Sequence, residues 1–127
     1  MAKVLGIGGL FFKSRDGDAM RDWYRRVLGV EFKSWGGAVF LPDAAAAHPG
    51  AGTVFSSFKQ DTDYFAPSDK EFMFNLMVDD LDGILARAKA EGVEPIKLMR
   101  GEANGEFAHI VDLEGRKIEL WQPKPMS

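Results

Sequence analysis

Two segments of this 127-residue chain are built to the same plan, and that repetition constrains the fold more than any single motif does. From about Gly17 to Leu28, the residues Ala19, Met20, Trp23, Val27 and Leu28 recur close to the spacing of one helical face. From about Leu81 to Glu91, Leu81, Ile84, Leu85 and Ala88 do the same. Aspartates stand where helix N-caps belong, Asp16 before the first segment and Asp79 or Asp80 before the second. Asp18 falls in the electropositive first turn and Arg25 and Arg26 in the electronegative last turn, so each charge suits the helix dipole. Both segments end at a glycine, which opens the same tripeptide: Gly29-Val30-Glu31 and Gly92-Val93-Glu94. Asp16 and Asp80 are 64 residues apart, and Gly29 and Gly92 are 63 apart. An internal duplication accounts for the match. Gly83 inside the second helix costs about 1 kcal/mol against alanine, a penalty its packed stripe can absorb.

Strand-like segments surround each helix. Leu5–Ser14 precedes the first, and Val30–Trp35, Ala38–Leu41 and Thr53–Lys59 follow it. Glu71–Val78 precedes the second, and Val93–Leu98, Glu106–Val111 and Lys117–Gln122 follow. Pro42–Gly52 reads as a loop whose alanine run, Ala44–Ala47, suits a helical turn; Gln60–Lys70 reads as a linker. A ferredoxin-like domain also begins strand–helix–strand, but needs two strands after its first helix where this chain offers three. The expected class is therefore α+β: two βαβββ modules in one domain, about residues 4–60 and 71–123, their eight strands in two curved sheets with a helix outside each.

Composition narrows the function. Net charge is −3, and the arginines Arg21, Arg25 and Arg26 alternate with Asp18 and Asp22, so a solvated helix face is expected and nucleic acid is not. The chain has no cysteine, which excludes disulfides, thiolate zinc sites and a cysteine nucleophile, and fits a reducing, cytoplasmic setting. Val4–Phe12 is too short for a membrane span and leads into Lys13-Ser14-Arg15-Asp16 without a small-residue cleavage site, so a core strand is expected and no membrane partner. Gly6-Ile7-Gly8-Gly9-Leu10-Phe11 is no dinucleotide fingerprint, because Phe11 stands at the third glycine position. There is no phosphate loop, no Gly-x-Ser-x-Gly elbow and no histidine pair at ligand spacing.

Ile7–Asp16, followed by a helix holding Trp23-Tyr24 and Leu28-Gly29-Val30, resembles the opening of a module of the glyoxalase/bleomycin-resistance/dioxygenase (vicinal oxygen chelate) superfamily. Phe72–Leu81 resembles the start of that family's second module, and Asp112-Leu113-Glu114-Gly115-Arg116-Lys117-Ile118-Glu119-Leu120 its closing hairpin. The likeness spans nearly the whole chain. It implies a cup holding a small molecule, often at a divalent metal, and in many members a homodimer. Many enzymes of the family hold the metal with four side chains, one on the first and one on the last strand of each module. Here those places carry Gly9, a Thr53–Lys59 strand offering Ser56 and Ser57, Met73 and Glu119. Three of four lack a suitable ligand, so no cofactor is expected, and Glu119 is a metal ligand only if a metal binds at all.

Strand alternation gives a second, independent view of the cup. In Phe72–Val78 the even positions are all apolar and belong under the helix, leaving Met73, Asn75 and Met77 to face the cup. Gly9, Phe11 and Lys13 share one face of the first strand. In the last strand Ile118 and Leu120 belong to the core, and Lys117, Glu119 and Trp121 to the cup. Glu119 is the first candidate catalytic or anchoring group, since a carboxylate facing inward must be paired or protonated; an edge carboxylate paired with Lys117 or Lys13 is the alternative. His109, on the neighbouring strand, could serve as acid or base with it, or be a satisfied core histidine. Met73, Asn75, Met77, Phe11, Trp121 and Ser57 are the candidate ligand contacts, although methionines also fill core gaps. Tyr64 could stack on a planar ligand, and His48 could reach the cup if its loop closes. The leading expectation is a protein binding a small organic, aromatic molecule without the ordinary metal centre. The alternatives are a lyase, isomerase or dioxygenase relative using Glu119 with His109 or an atypical divalent metal, and a structural dimer whose cup is filled by its own side chains.

Overall fold

The computed structural model describes residues 2–126. Helix α1, Gly17–Leu28, begins where Asp16 accepts a hydrogen bond from the Ala19 amide at 3.1 Å. It ends at Gly29, whose φ of 72° lets its amide reach back to the Arg25 carbonyl. Helix α2 is a short turn, Pro42–Ala46, and α3 spans Leu81–Ala90 with Asp80, not Asp79, capping the Gly83 amide at 3.1 Å. No helix among the described residues is long and apolar enough to cross a membrane.

Four strands form one mixed sheet in the order β1-β4-β3-β2: β1 is Phe74–Met77, β2 Lys97–Glu102, β3 Gly105–Val111 and β4 Lys117–Pro123. β1 runs parallel to β4, and the other two pairings are antiparallel. Together with α3 these strands make one βαβββ unit. The Val93–Leu98 expectation is corrected: Val93 packs against the core after α3, and the ladder begins only at Lys97. At the start of β3, Gly105 has φ 138°, and a Cβ there would lie 2.1 Å from the Gln122 carbonyl oxygen, so close strand approach demands glycine.

One face of the sheet carries Phe74, Leu76, Ala108, Ile110, Ile118 and Leu120. α1 and α3 pack together with this face, adding Met20, Trp23, Tyr24, Val27, Leu28, Leu81 and Ala88 to the core. Each fully buried aliphatic side chain contributes roughly 1.5–3 kcal/mol. Arg87 ties the helices further by donating to the carbonyls of Arg25 and Arg26, and Arg26 pairs with Glu91 at 2.9 Å. A buried polar cluster pins α1 to the closing hairpin: the Tyr24 hydroxyl donates to Asp112 at 2.6 Å, and Arg116 donates to the same carboxylate at 3.0 Å.

The first half differs from the expectation of eight strands. Leu5–Ser14, Val30–Trp35, Ala38–Leu41 and Thr53–Lys59 join no ladder; Val30 and Phe32 pack against the core, but Leu5 is 89% exposed, Phe11 94% and Phe55 91%. None of these segments hydrogen-bonds to the edge strands β1 or β2, and a segment whose amides and carbonyls find no neighbour forms no strand. Their attachment to the rest is local. Ser14 donates to Glu114 at 2.6 Å, Arg116 donates to the Lys13 carbonyl, and the Phe12 ring meets Phe74 edge-on at 5.0 Å.

Candidate functional site

The register of the sheet builds the site. Asn75 on β1, Glu119 on β4, His109 on β3 and Lys97 on β2 are successive partners, so they form one row across the face opposite the helices. The next row holds Met77, Trp121, Phe107 and Met99. Strand alternation forces this, because the apolar neighbours Ile118 and Leu120 of Glu119 must enter the core.

Glu119 lies at the centre and is 9% exposed. Its Oε1 accepts from the Asn75 side-chain amide at 2.9 Å. Its Oε2 accepts from the Tyr64 hydroxyl at 2.5 Å and lies 2.7 Å from His109 Nε2. Burial pushes the carboxyl's pKa up, but the hydrogen bonds from His109, Tyr64 and Asn75 together outweigh burial and hold it below the usual range. An ionised carboxylate accepts and cannot donate, so the network places a proton on His109 Nε2. His109 is wholly buried, and its Nδ1 has no hydrogen-bond partner. An unpaired buried polar atom costs free energy that folding alone does not recover, and functional sites are where such costs persist.

A strap crosses this face. Tyr64, from the segment between the halves, lays its ring edge-on to His109 at 5.3 Å and stacks on Phe58 at 5.5 Å. Lys117 donates to the Tyr64 carbonyl at 2.6 Å, with its ammonium 5.1 Å from the ring centre. Burial first, and the nearby Lys97 charge second, lower the pKa of Lys117. Trp121 stacks on Phe107 within 2° of parallel and donates from its ring nitrogen to the Asn104 carbonyl.

The fold therefore brings Glu119, His109, Asn75, Met77 and Trp121 to one face, with Met73 half-buried just before β1. Phe11 and Ser57 are not brought to this face: both are exposed on segments outside the sheet and share none of its hydrogen bonds. His48 is bonded to the Pro123 carbonyl at 2.9 Å and is not part of the Glu119 network. The Tyr64 hydroxyl's partnership with Glu119 was not legible beforehand, since nothing in a linker's composition says which strand it crosses. The Asp112–Arg116–Tyr24 cluster was equally hidden.

The four positions where the resemblance would seek metal ligands do not converge on a donor set. Gly9 and Met73 bring no ionic ligand, Ser56 bonds within its own segment, and Glu119 is committed to three donors. Among the described residues no three histidines, cysteines or carboxylates cluster as a metal site. These residues do not fit the metal that the resemblance implies.

Two solved structures are similar along nearly the whole chain. TioX from Micromonospora sp. ML1 matches with a TM-score of 0.51 and 17% identity, covering 87% of this chain and 92% of its own. A protein of unknown function from Agrobacterium tumefaciens str. C58 matches with a TM-score of 0.52 and 18% identity, covering 94% and 98%. This chain shares their fold. No protein-family model matches the sequence, and no curated protein matches it.

Proposed function

We propose that this chain is a glyoxalase/bleomycin-resistance-like protein that binds a small, planar organic molecule at Glu119, without the ordinary metal centre, as a cytoplasmic homodimer of two-module chains. The observation that carries the reading is the Glu119 carboxylate, nearly buried, satisfied by three separate donors and set beside the unpaired Nδ1 of His109. A core built only for stability gains little from such a group, since an apolar residue of similar volume usually serves as well or better. Aromatic side chains lie near it, Tyr64 bonded to its carboxylate and Trp121 and Phe107 in the next row, as ligand sites commonly require. Support for the dimer comes from the first half. Its apolar segments lie exposed beside a sheet whose edge strands are open, and a second copy carries segments of the same repeat able to pair with them.

The test is a thermal-melt screen of planar aromatic compounds against the wild-type chain and Glu119→Gln, after chelator treatment. A ligand at about 100 times its Kd adds roughly 2.7 kcal/mol, a shift of several degrees for this size. Binding lost in Glu119→Gln supports the reading. A rise produced instead by Zn, Mn, Fe(II), Ni, Co or Mg, and abolished by Glu119→Gln, would overturn it. A second reading, an enzyme using His109 and Glu119 as an acid–base pair, is favoured by their 2.7 Å contact. It predicts that Glu119→Gln retains ligand binding and loses turnover.

A further inference from the structure

Residues 59–68 are held mainly by turns within themselves: the Thr62 amide bonds to the Lys59 carbonyl, Ala66 to Asp63 and Ser68 to Phe65, each at 3.0 Å. Among the described residues, every hydrogen bond from this strap to the sheet passes through Tyr64. One residue latches the segment, through its hydroxyl and its main-chain carbonyl, and its side chain is only half-buried.

That side chain meets the contacts a ligand would meet. The Tyr64 hydroxyl donates to Glu119 Oε2 at 2.5 Å, the ring stacks on Phe58, its face lies near the Lys117 ammonium, and its edge meets His109. We propose that the Glu119 site takes a neutral phenol in place of the Tyr64 side chain, the hydroxyl donating to Glu119 while the 59–68 strap is displaced. This deepens the small-molecule reading and rests on it. The charge logic is simple. Glu119 is ionised and can only accept, so the ligand must bring a proton to donate, and a phenolate would set two anions together. Tyr64 itself obeys this rule: burial, followed by its bond to Glu119, pushes the phenol's pKa up and keeps it protonated.

Binding of p-cresol, the free analogue of the tyrosine side chain, tests the proposal against toluene and 4-methylanisole, which keep the ring but cannot donate. Titrations followed by tryptophan fluorescence are run on the wild-type chain, Tyr64→Ala and Tyr64→Phe. We expect p-cresol to bind at least tenfold more tightly than either control, and at least tenfold more tightly to Tyr64→Ala than to wild type, because the internal competitor is gone. Tyr64→Phe, which keeps the ring and loses the hydroxyl's bond to Glu119, should fall between. In the wild-type chain, p-cresol should also speed tryptic cleavage after Lys59 as the strap lifts, and toluene should not. Equal binding of toluene and p-cresol, or p-cresol binding unaffected by both substitutions, overturns the proposal. If other planar compounds bind through Glu119 while p-cresol does not, the phenol assignment falls and the wider reading stands. If nothing binds wild type or either variant, both fall.

Discussion

His109 and Glu119 face one another across adjacent antiparallel strands, Nε2 to Oε2 at 2.7 Å, with the imidazole wholly buried and its other nitrogen unpaired. Neither residue could hold this position alone. Glu119 stays ionised inside the protein because three donors surround it, and His109 is oriented because the carboxylate fixes which nitrogen carries the proton.

Acid should therefore weaken the fold through Glu119. Its folded pKa lies below the ordinary glutamate value of about 4.5, so its contribution is fully present above that value and is lost as pH falls through the folded pKa. Urea midpoints measured between pH 6 and pH 3 should drop for wild type and drop less for Glu119→Gln.

Glu114, in the turn that leads into β4, acts in the same direction. The Ser14 hydroxyl, chiefly, holds its pKa at about 2 against a burial effect that raises it, helped by the amides of Arg15 and Asp16 and the charge of Arg116. Its contribution is present above about 4.5 and declines between there and about 2. An NMR titration of the Glu114 carboxyl should show this low value, and Ser14→Ala should move it upward. An unchanged value in Ser14→Ala would mean the segment before α1 is not docked on the hairpin.

The Tyr24–Asp112–Arg116 cluster is a structural clamp. Tyr24→Phe removes one donor while Asp112 keeps Arg116 and the amides of Glu114 and Arg116, so the loss should be about 1–2 kcal/mol in urea unfolding. Arg116→Ala removes the paired cation from a buried carboxylate and should cost more, about 3 kcal/mol. Neither change should alter ligand affinity at Glu119, since neither residue touches it.

Sedimentation should give twice the 14.1 kDa chain mass. Phe11→Asp and Phe55→Asp place charges on the exposed apolar segments and should shift the population toward monomer while leaving the circular dichroism of the helices intact. A wild-type chain that sediments as a monomer at micromolar concentration would remove the dimer from the reading.

What the sequence by itself determined was local. The helices begin and end at the residues their caps announce, because capping and stripe formation involve neighbours three or four positions away. The facing of β4 followed from alternation alone: Ile118 and Leu120 toward the helices, Glu119 and Trp121 on the opposite face. Which strands stand side by side was decided only in three dimensions. The row Asn75–Glu119–His109 depends on register between segments up to 44 residues apart, and the Tyr64 latch on the path of a linker with no period to read. The strand-like segments of the first half carry the same pattern as those of the second, yet they form no ladder within the described residues. Periodicity says which face a strand would bury; a partner decides whether the strand exists.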